Sequence, residues 1–103
     1  MMKVQPSSGN VFHHLGFGPK EAESLRLRAE LMIEVTRLMH ARKLTQSAAA
    51  NLFGVTQPRI SDLMRGKIDL FSIDTLVNML ARSGMRVQLR FAPAGRGRRA
   101  QAA

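Results

Sequence analysis

Hydrophobic residues recur at steps of three and four between residues 19 and 42, the spacing that gathers side chains on one face of an α-helix. Pro19 stands in the first turn, where a residue without an N–H is tolerated, and Glu21 and Glu23 lie near the positive end of the helix dipole. The pattern therefore predicts a long amphipathic helix. Its apolar positions are Leu25, Ala29, Leu31, Met32, Val35, Leu38 and Met39.

Two short helices are predicted within residues 44–67. Thr45 can cap the first of them, and Gly54 ends it in a left-handed conformation that suits glycine. Thr56 can cap the second, and Gly66 terminates it. The small residues at the helix crossing are Ala49 and Ala50, and the core beneath them consists of Phe53, Val55, Ile60 and Leu63. The apolar side of the second helix consists of Ile60, Leu63 and Met64. Two short helices joined around a glycine form the outline of a helix-turn-helix.

A fourth helix and one strand complete the predicted elements. Ser72 can cap the helix, and Gly84 lies just past its end. The following residues have a period of two, in which Met85, Val87, Leu89 and Phe91 alternate with Arg86, Gln88 and Arg90. This alternation predicts a β-strand whose apolar face packs against the helices. The expected fold is therefore mainly all-α, with four to five helices and one C-terminal β-strand.

Basic residues outnumber acidic residues by a wide margin. Sixteen Lys and Arg against seven Asp and Glu give a net charge of +9. Without Arg96, Arg98 and Arg99, 13 basic residues still face seven acidic ones, a net charge of +6. A positive charge this large on a small chain favours a polyanionic partner, and nucleic acid is the first candidate.

Several other function classes lack the residues that they need. The absence of cysteine removes disulfides, thiolate nucleophiles and zinc sites built on cysteine. His13 and His14 are adjacent, so their side chains diverge, and His40 lies far along the chain. Ser61 has no nearby histidine to activate it. We expect no enzyme, no metal site and no cofactor.

Membrane and secretory signals are also missing from the sequence. No apolar run approaches the roughly 20 residues that a membrane span needs. The N-terminus lacks the apolar region of a secretory signal. We expect a cytoplasmic protein with no membrane partner.

The outer side of the second short helix is polar, and its N-terminal turn would read base edges in a DNA major groove. A polar helix face alone is more often simply solvated, but the glycine turn, the small-residue crossing and the basic charge favour DNA. Gln57 suits adenine, and Arg59 suits guanine or a phosphate. Asp62 can accept from a cytosine amino group, or orient Arg59 or Arg65. The expected base-reading residues are Gln57, Pro58, Arg59, Ser61 and Asp62. The expected phosphate-binding residues are Lys43, Thr45, Gln46, Thr56, Arg65 and Lys67.

The chain of 103 residues has the size of one domain with two flanking segments. We expect a mobile N-terminal segment over residues 1–18, a helix-turn-helix DNA-binding domain with its closing strand over residues 19–91, and a disordered basic tail over residues 92–103. The N-terminal segment holds a short apolar cluster of Val11, Phe12, Leu15 and Phe17.

Residues 44–67 resemble the DNA-binding helix-turn-helix of the lambda-repressor-like superfamily, often called the XRE family. The matching residues are Thr45-Gln46, Ala49-Ala50, Phe53-Gly54-Val55, Thr56-Gln57, Ile60-Ser61, Leu63 and Gly66-Lys67. The resemblance implies a DNA-binding repressor in which Gln46 meets a backbone phosphate and Gln57 reads a base. Pro58 departs from members that carry a second polar base reader at that position.

A narrower resemblance covers residues 10–89. The run NVFHHLGF, the long helix, the phrase TQPRISDLMRGKIDLFSIDTLVNMLARSG and the closing strand are similar to short HigA-type antitoxins. Those proteins bind a RelE/HigB-like ribonuclease toxin and repress their own operon, so the resemblance implies such a toxin as a partner. Two alternatives remain open. They are a stand-alone XRE-type regulator without a toxin, and a charge-driven protein that binds nucleic acid without sequence preference.

One copy of so small a domain buries little groove surface, so we expect a homodimer on double-stranded DNA with a palindromic operator. A single strand leaves its edges unpaired, and pairing with the same strand of a second copy would satisfy one of them. The expected dimerisation residues are Met85, Val87, Gln88, Leu89 and Phe91.

Overall fold

The computed structural model describes residues 18–93, which contain four α-helices and one 3-10 turn. The elements are α1 (Pro19–Ala41), α2 (Gln46–Phe53), α3 (Gln57–Met64), the 3-10 turn (Ile68–Leu70) and α4 (Ile73–Arg82). The four predicted helices are thus confirmed. The apolar cluster within residues 1–17 and the tail arginines Arg96, Arg98 and Arg99 lie outside the described residues.

Local capping explains where the three shorter helices begin. In each, a hydroxyl oxygen accepts a hydrogen bond from the backbone N–H three residues later. The pairs are Thr45 with Ala48 at 3.0 Å, Thr56 with Arg59 at 3.3 Å, and Ser72 with Thr75 at 3.0 Å. The longer α1 starts without a side-chain cap, and Pro19 occupies its first turn.

All four helices are followed by a residue with a left-handed backbone, and the next N–H bonds back to a carbonyl of the last turn. After α2, Gly54 has a φ of 73° and the Val55 N–H donates to the Ala50 carbonyl at 3.0 Å. After α1, the left-handed residue is Lys43, with a φ of 54°. Lys43 is therefore the one non-glycine residue among residues 18–93 that holds this conformation.

The core lies where α1 and α4 pack together and α2 and α3 cross beside them. Ala49 and Ala50 are buried in α2, so small side chains permit the close approach that the sequence predicts. The largest fully buried side chains are Phe53, Phe71, Ile60, Leu76, Met79, Leu80 and Val35. Met64 corrects the prediction for α3, because its side chain is 39% exposed and stands outside this core.

The predicted C-terminal strand is wrong for the part of the chain that the structure describes. Residues 85–93 form neither helix nor strand. A strand needs a second segment to complete its hydrogen bonds, and residues 18–93 of one chain supply none. Met85 and Val87 do pack against the core, as expected. Leu89 and Phe91 do not, because they are 78% and 88% exposed.

Candidate nucleic-acid interface

The first turns of α2 and α3 meet at one shallow groove on the surface. Gln46 lines the groove from α2, and Gln57, Pro58 and Ser61 line it from α3. The structure therefore brings one predicted phosphate-binding residue beside three predicted base-reading residues. Within residues 18–93, the Gln57 and Ser61 side chains make no hydrogen bond, so their polar groups stay available to a ligand.

Thr45 and Thr56 shape the two helix starts at this groove. Each hydroxyl oxygen accepts a backbone N–H, which leaves its own O–H proton free to donate. The first backbone N–H groups of a helix also lack partners within the helix and carry partial positive charge. Both helix starts are therefore suited to contact an anion.

Asp62 lies between two of the predicted phosphate-binding residues. Its Oδ1 atom is 3.6 Å from Arg65 Nη2 and 3.6 Å from Lys67 Nζ. The carboxylate is 21% exposed, whereas the two cationic side chains are more open. The Asp62 carboxylate therefore pairs with Arg65, which the sequence analysis named as a possible partner, and also with Lys67. Arg59 is not among the ion-pair partners of Asp62.

Arg59 makes its contacts within the chain. Its Nη1 atom donates to the Leu70 carbonyl at 3.2 Å, and its guanidinium carbon lies 5.5 Å from the centre of the Phe71 ring. Neither partner was predicted from the sequence. Helical periodicity finds neighbours three or four residues apart and gives no signal for a contact that joins two different elements.

Lys43 stands just before α2 with an exposed side chain and the left-handed backbone described above. Its charge therefore borders the helix start formed by Thr45 and Gln46. Nothing in the residue types around Lys43 predicted its backbone conformation.

Three of the four acidic residues of α1 pair with arginines on the same helix. Arg37 donates a hydrogen bond to Glu34 and thereby lowers the pKa of that carboxyl. Arg26 does the same for the pKa of Glu23, and it also pairs with Glu30. Four of the seven acidic residues of the chain belong to α1.

A family model described as a helix-turn-helix domain matches residues 12–92, well over half of the chain. The chain belongs to the helix-turn-helix domain family. It is also similar to a solved structure described as an XRE-family transcriptional regulator. That similarity has a TM-score of 0.68 and 26% sequence identity, and it covers 81% of this chain and 93% of the other. No curated protein matches the chain.

Membership of this family and likeness to an XRE-family regulator support a DNA-binding transcriptional regulator of the XRE type. They also point away from an enzyme. Among residues 18–93, no group of three or more potential ligand residues could hold a metal ion. In the same part of the chain, no helix is both long enough and apolar enough to cross a bilayer.

Proposed function

We propose that this protein is a sequence-specific DNA-binding repressor that inserts α3 into the major groove. The observation that carries the proposal is the groove at which Gln46, Gln57, Pro58 and Ser61 meet. The apolar sides of α2 and α3 are buried, so the polar first turn of α3 is free to meet base edges. Reading by the N-terminal residues of the second helix is the geometry that a helix-turn-helix uses.

The base-reading set is centred on Gln57. Its amide can form two hydrogen bonds with adenine, and Pro58 offers an apolar surface to a thymine methyl group. Ser61 can donate to or accept from a base, and Asp62 can accept from cytosine. Arg59 was predicted as a member of this set, but its contacts with Leu70 and Phe71 set it apart.

Phosphate contacts would position α3 on the duplex. The proposed residues are Lys43, Thr45, Gln46, Thr56, Arg65 and Lys67. The backbone of Lys43 supports its place in this set, since a left-handed conformation costs a non-glycine residue about 1–2 kcal/mol. Glycine occupies the equivalent position after the other three helices. A lysine retained at that cost is consistent with a use for its charge.

Two copies would bind a palindromic operator about a two-fold axis. Residues 85–91 support this proposal, because their apolar and polar side chains alternate and their backbone completes no ladder within residues 18–93. Pairing with the same residues of a second copy would form a ladder and cover Leu89 and Phe91. The two α3 helices would then meet half-sites about 34 Å apart.

The narrower role in this proposal is that of an antitoxin that represses its own operon. The similarity of NVFHHLGF and TQPRISDLMRGK to HigA-type antitoxins supports it. Co-purification from the native operon tests it. Recovery of a RelE/HigB-like toxin supports the antitoxin role, and recovery of this chain alone supports a stand-alone regulator.

The rival of a charge-driven coat protein is tested by binding measurements. A DNA sequence selected from a random pool and unselected DNA are titrated with the protein at several salt concentrations. A repressor binds the selected sequence at least about 10³-fold more tightly. A coat protein binds both equally and loses affinity steeply with salt.

Substitution of Gln57 tests the reading assignment directly. We expect Gln57→Ala to weaken binding to the selected sequence by about 1–3 kcal/mol and to leave binding to unselected DNA nearly unchanged. The matched control is Asn78→Ala, because Asn78 is an exposed polar residue on α4. Equal losses of Gln57→Ala on both DNAs would remove Gln57 from the base-reading set.

A further inference from the structure

Arg59 starts in the first turn of α3, but its side chain reaches to the segment that follows α3. Its Nη1 atom donates to the Leu70 carbonyl at 3.2 Å, and its guanidinium lies over the Phe71 ring at 5.5 Å. We propose that Arg59 is a positioning residue of the DNA interface, which fixes the tilt of α3 and reads no base. This inference rests on the proposed function and makes it more specific. In the first turn of α3, Gln57 reads a base and Arg59 positions the helix.

The two partners of Arg59 restrict the position of its guanidinium group. Phe71 is 1% exposed and belongs to the core, so its ring cannot follow the guanidinium if α3 moves. The Leu70 carbonyl is a backbone group at the end of the 3-10 turn. A cation over an aromatic face and a hydrogen bond to a backbone carbonyl have different preferred directions, so together they restrict the guanidinium more than either does alone.

The 3-10 turn is also held from its other side. Arg28 of α1 donates through Nη1 to the Ile68 carbonyl at 3.4 Å. Two arginines from two different helices therefore meet the same short turn. Through it, the first turn of α3 is connected to α1, the longest helix of the described chain.

The position of α3 matters because Lys67 lies between that helix and the 3-10 turn. Lys67 pairs with Asp62 of α3, so the tilt of the helix also sets where this cation meets a phosphate. Recognition groups need to be held within about 0.5 Å of their productive geometry by the residues around them. Loss of the Arg59 contacts would therefore shift α3 as a unit on the duplex and weaken binding at every base pair alike.

The contacts of Arg59 also argue against direct base reading. To pair with guanine in the bidentate mode, its guanidinium would have to leave both the Leu70 carbonyl and the Phe71 ring. Gln57 and Ser61 give up no side-chain hydrogen bond to residues 18–93 when they meet DNA. These two residues can therefore contact a base without breaking a contact within the described chain, whereas Arg59 would have to break two.

The experiment compares Arg59→Ala with Gln57→Ala on a complete set of single-base-pair variants of the selected operator. A positioning residue acts on all base pairs alike, so Arg59→Ala should weaken binding to every operator variant by the same factor, about tenfold. Gln57→Ala should instead weaken binding to all operator variants except those in which the base pair that Gln57 reads has already been replaced. All proteins are measured well below their thermal midpoints, where each is folded, so that a change in stability alone leaves affinity unchanged.

Two further measurements separate positioning from phosphate binding and from a reading role. The salt dependence of binding should be the same for Arg59→Ala and the wild type, whereas Arg65→Ala should reduce the log–log slope by about 0.9. Arg59→Lys should recover most of the lost affinity, because lysine can still donate one hydrogen bond and place a cation over the ring. A guanine reader would instead show its loss only on operators that keep the guanine it contacts.

A substitution of the aromatic partner keeps the inference testable if Arg59→Ala does not fold. Phe71→Leu preserves apolar burial and removes the ring under the guanidinium, so it should reduce operator affinity by a similar factor on every operator variant. The inference is wrong if either Arg59 variant relaxes discrimination at a single base pair, or if folded Arg59→Ala binds as the wild type does. Wild-type protein that selects no sequence at all would overturn the proposed function, and the positioning role with it.

Discussion

The α2–α3 unit and residues 85–93 differ in how their backbone hydrogen bonds are completed. In the α2–α3 unit, Thr45 and Thr56 cap the helix starts, and Gly54 allows α2 to end with bonds back to its last turn. Residues 85–93 have the alternating pattern of a strand but form no ladder within the described chain. A helix closes its bonds within its own segment, whereas a strand depends on another one.

The two regions also differ in what they expose. The α2–α3 unit buries its apolar residues and presents polar side chains, whereas residues 85–93 present Leu89 and Phe91 to solvent. The first region is complete in one chain and offers a surface to a polyanion. The second region exposes apolar side chains and has backbone groups without a ladder partner. Both features are typical of a segment that pairs with another chain.

The largest contrast is expected between a buried and an exposed apolar residue of the two regions. Ile60 is fully buried in α3, so Ile60→Ala should reduce the free energy of unfolding by about 2–5 kcal/mol. Phe91→Ala, in a side chain that is 88% exposed, should change it by less than about 0.5 kcal/mol. Urea unfolding followed by circular dichroism at low protein concentration measures both. Similar losses would mean that Phe91 packs within its own chain.

Substitution of Gln88 tests whether a second copy completes the C-terminal segment. Proline removes the N–H donor, so Gln88→Pro should convert a dimer to a monomer and weaken operator binding by about a hundredfold, since bivalent attachment is lost. Light scattering gives the oligomeric state, and circular dichroism should show intact helices. Gln88→Ala keeps the donor and serves as the control. A Gln88→Pro dimer would locate the interface in the helices, and an unfolded variant would indicate pairing within one chain.

The ends of α2 and α3 give a pair of matched glycines. Gly54 and Gly66 both have a φ of 73°, but a Cβ at Gly54 would overlap the Arg82 side chain, and one at Gly66 would meet open space. Gly66→Ala should therefore lose about 1–2 kcal/mol of stability from the backbone alone. Gly54→Ala should lose nearly the same amount, because Arg82 is exposed and its flexible side chain can turn away from the added Cβ. Thermal unfolding measures both, and a clearly larger loss for Gly54→Ala that Arg82→Ala relieves would show that the Arg82 side chain is held in place.

The smallest effect is expected at Lys43, where stability and binding should change in opposite directions. Lys43→Gly relieves the left-handed backbone and should raise the free energy of unfolding by about 0.5–1 kcal/mol. It should also reduce the salt slope of DNA binding by about 0.9, because one phosphate contact is lost. Lys43→Ala loses the charge and keeps the backbone strain, so it should share only the binding defect. Wild-type salt slopes in both variants would remove Lys43 from the phosphate-binding set.

The sequence predicted the helices well because their signals are local. A threonine cap or a glycine past the end acts within four residues, and the apolar spacing of α1 shows directly which face is buried. The strand prediction failed because its ladder depends on a segment elsewhere, which no pattern within residues 85–91 can supply. Met64 was misplaced for a related reason, since it is the last residue of α3 and the core does not extend that far.

The candidate site was predicted at the level of its elements. Gln46 and Gln57 were assigned to the two helix starts, and the structure brings these starts to one groove. Their roles on DNA stay predictions. The direction of the Arg59 side chain could not be inferred from the sequence, because a long side chain near a helix start can reach either the solvent or the next element. Its aromatic partner, Phe71, lies beyond the reach of any helical period.

The unpaired backbone of residues 85–93 has a consequence for regulation. If only a second copy completes this segment, the species that binds the operator tightly arises from a bimolecular reaction. At low concentration its amount then grows with the square of the number of chains, by mass action. Repression would stay weak while chains are few and would set in over a narrow range of abundance. A segment without a ladder would thus make the protein a sensor of its own concentration.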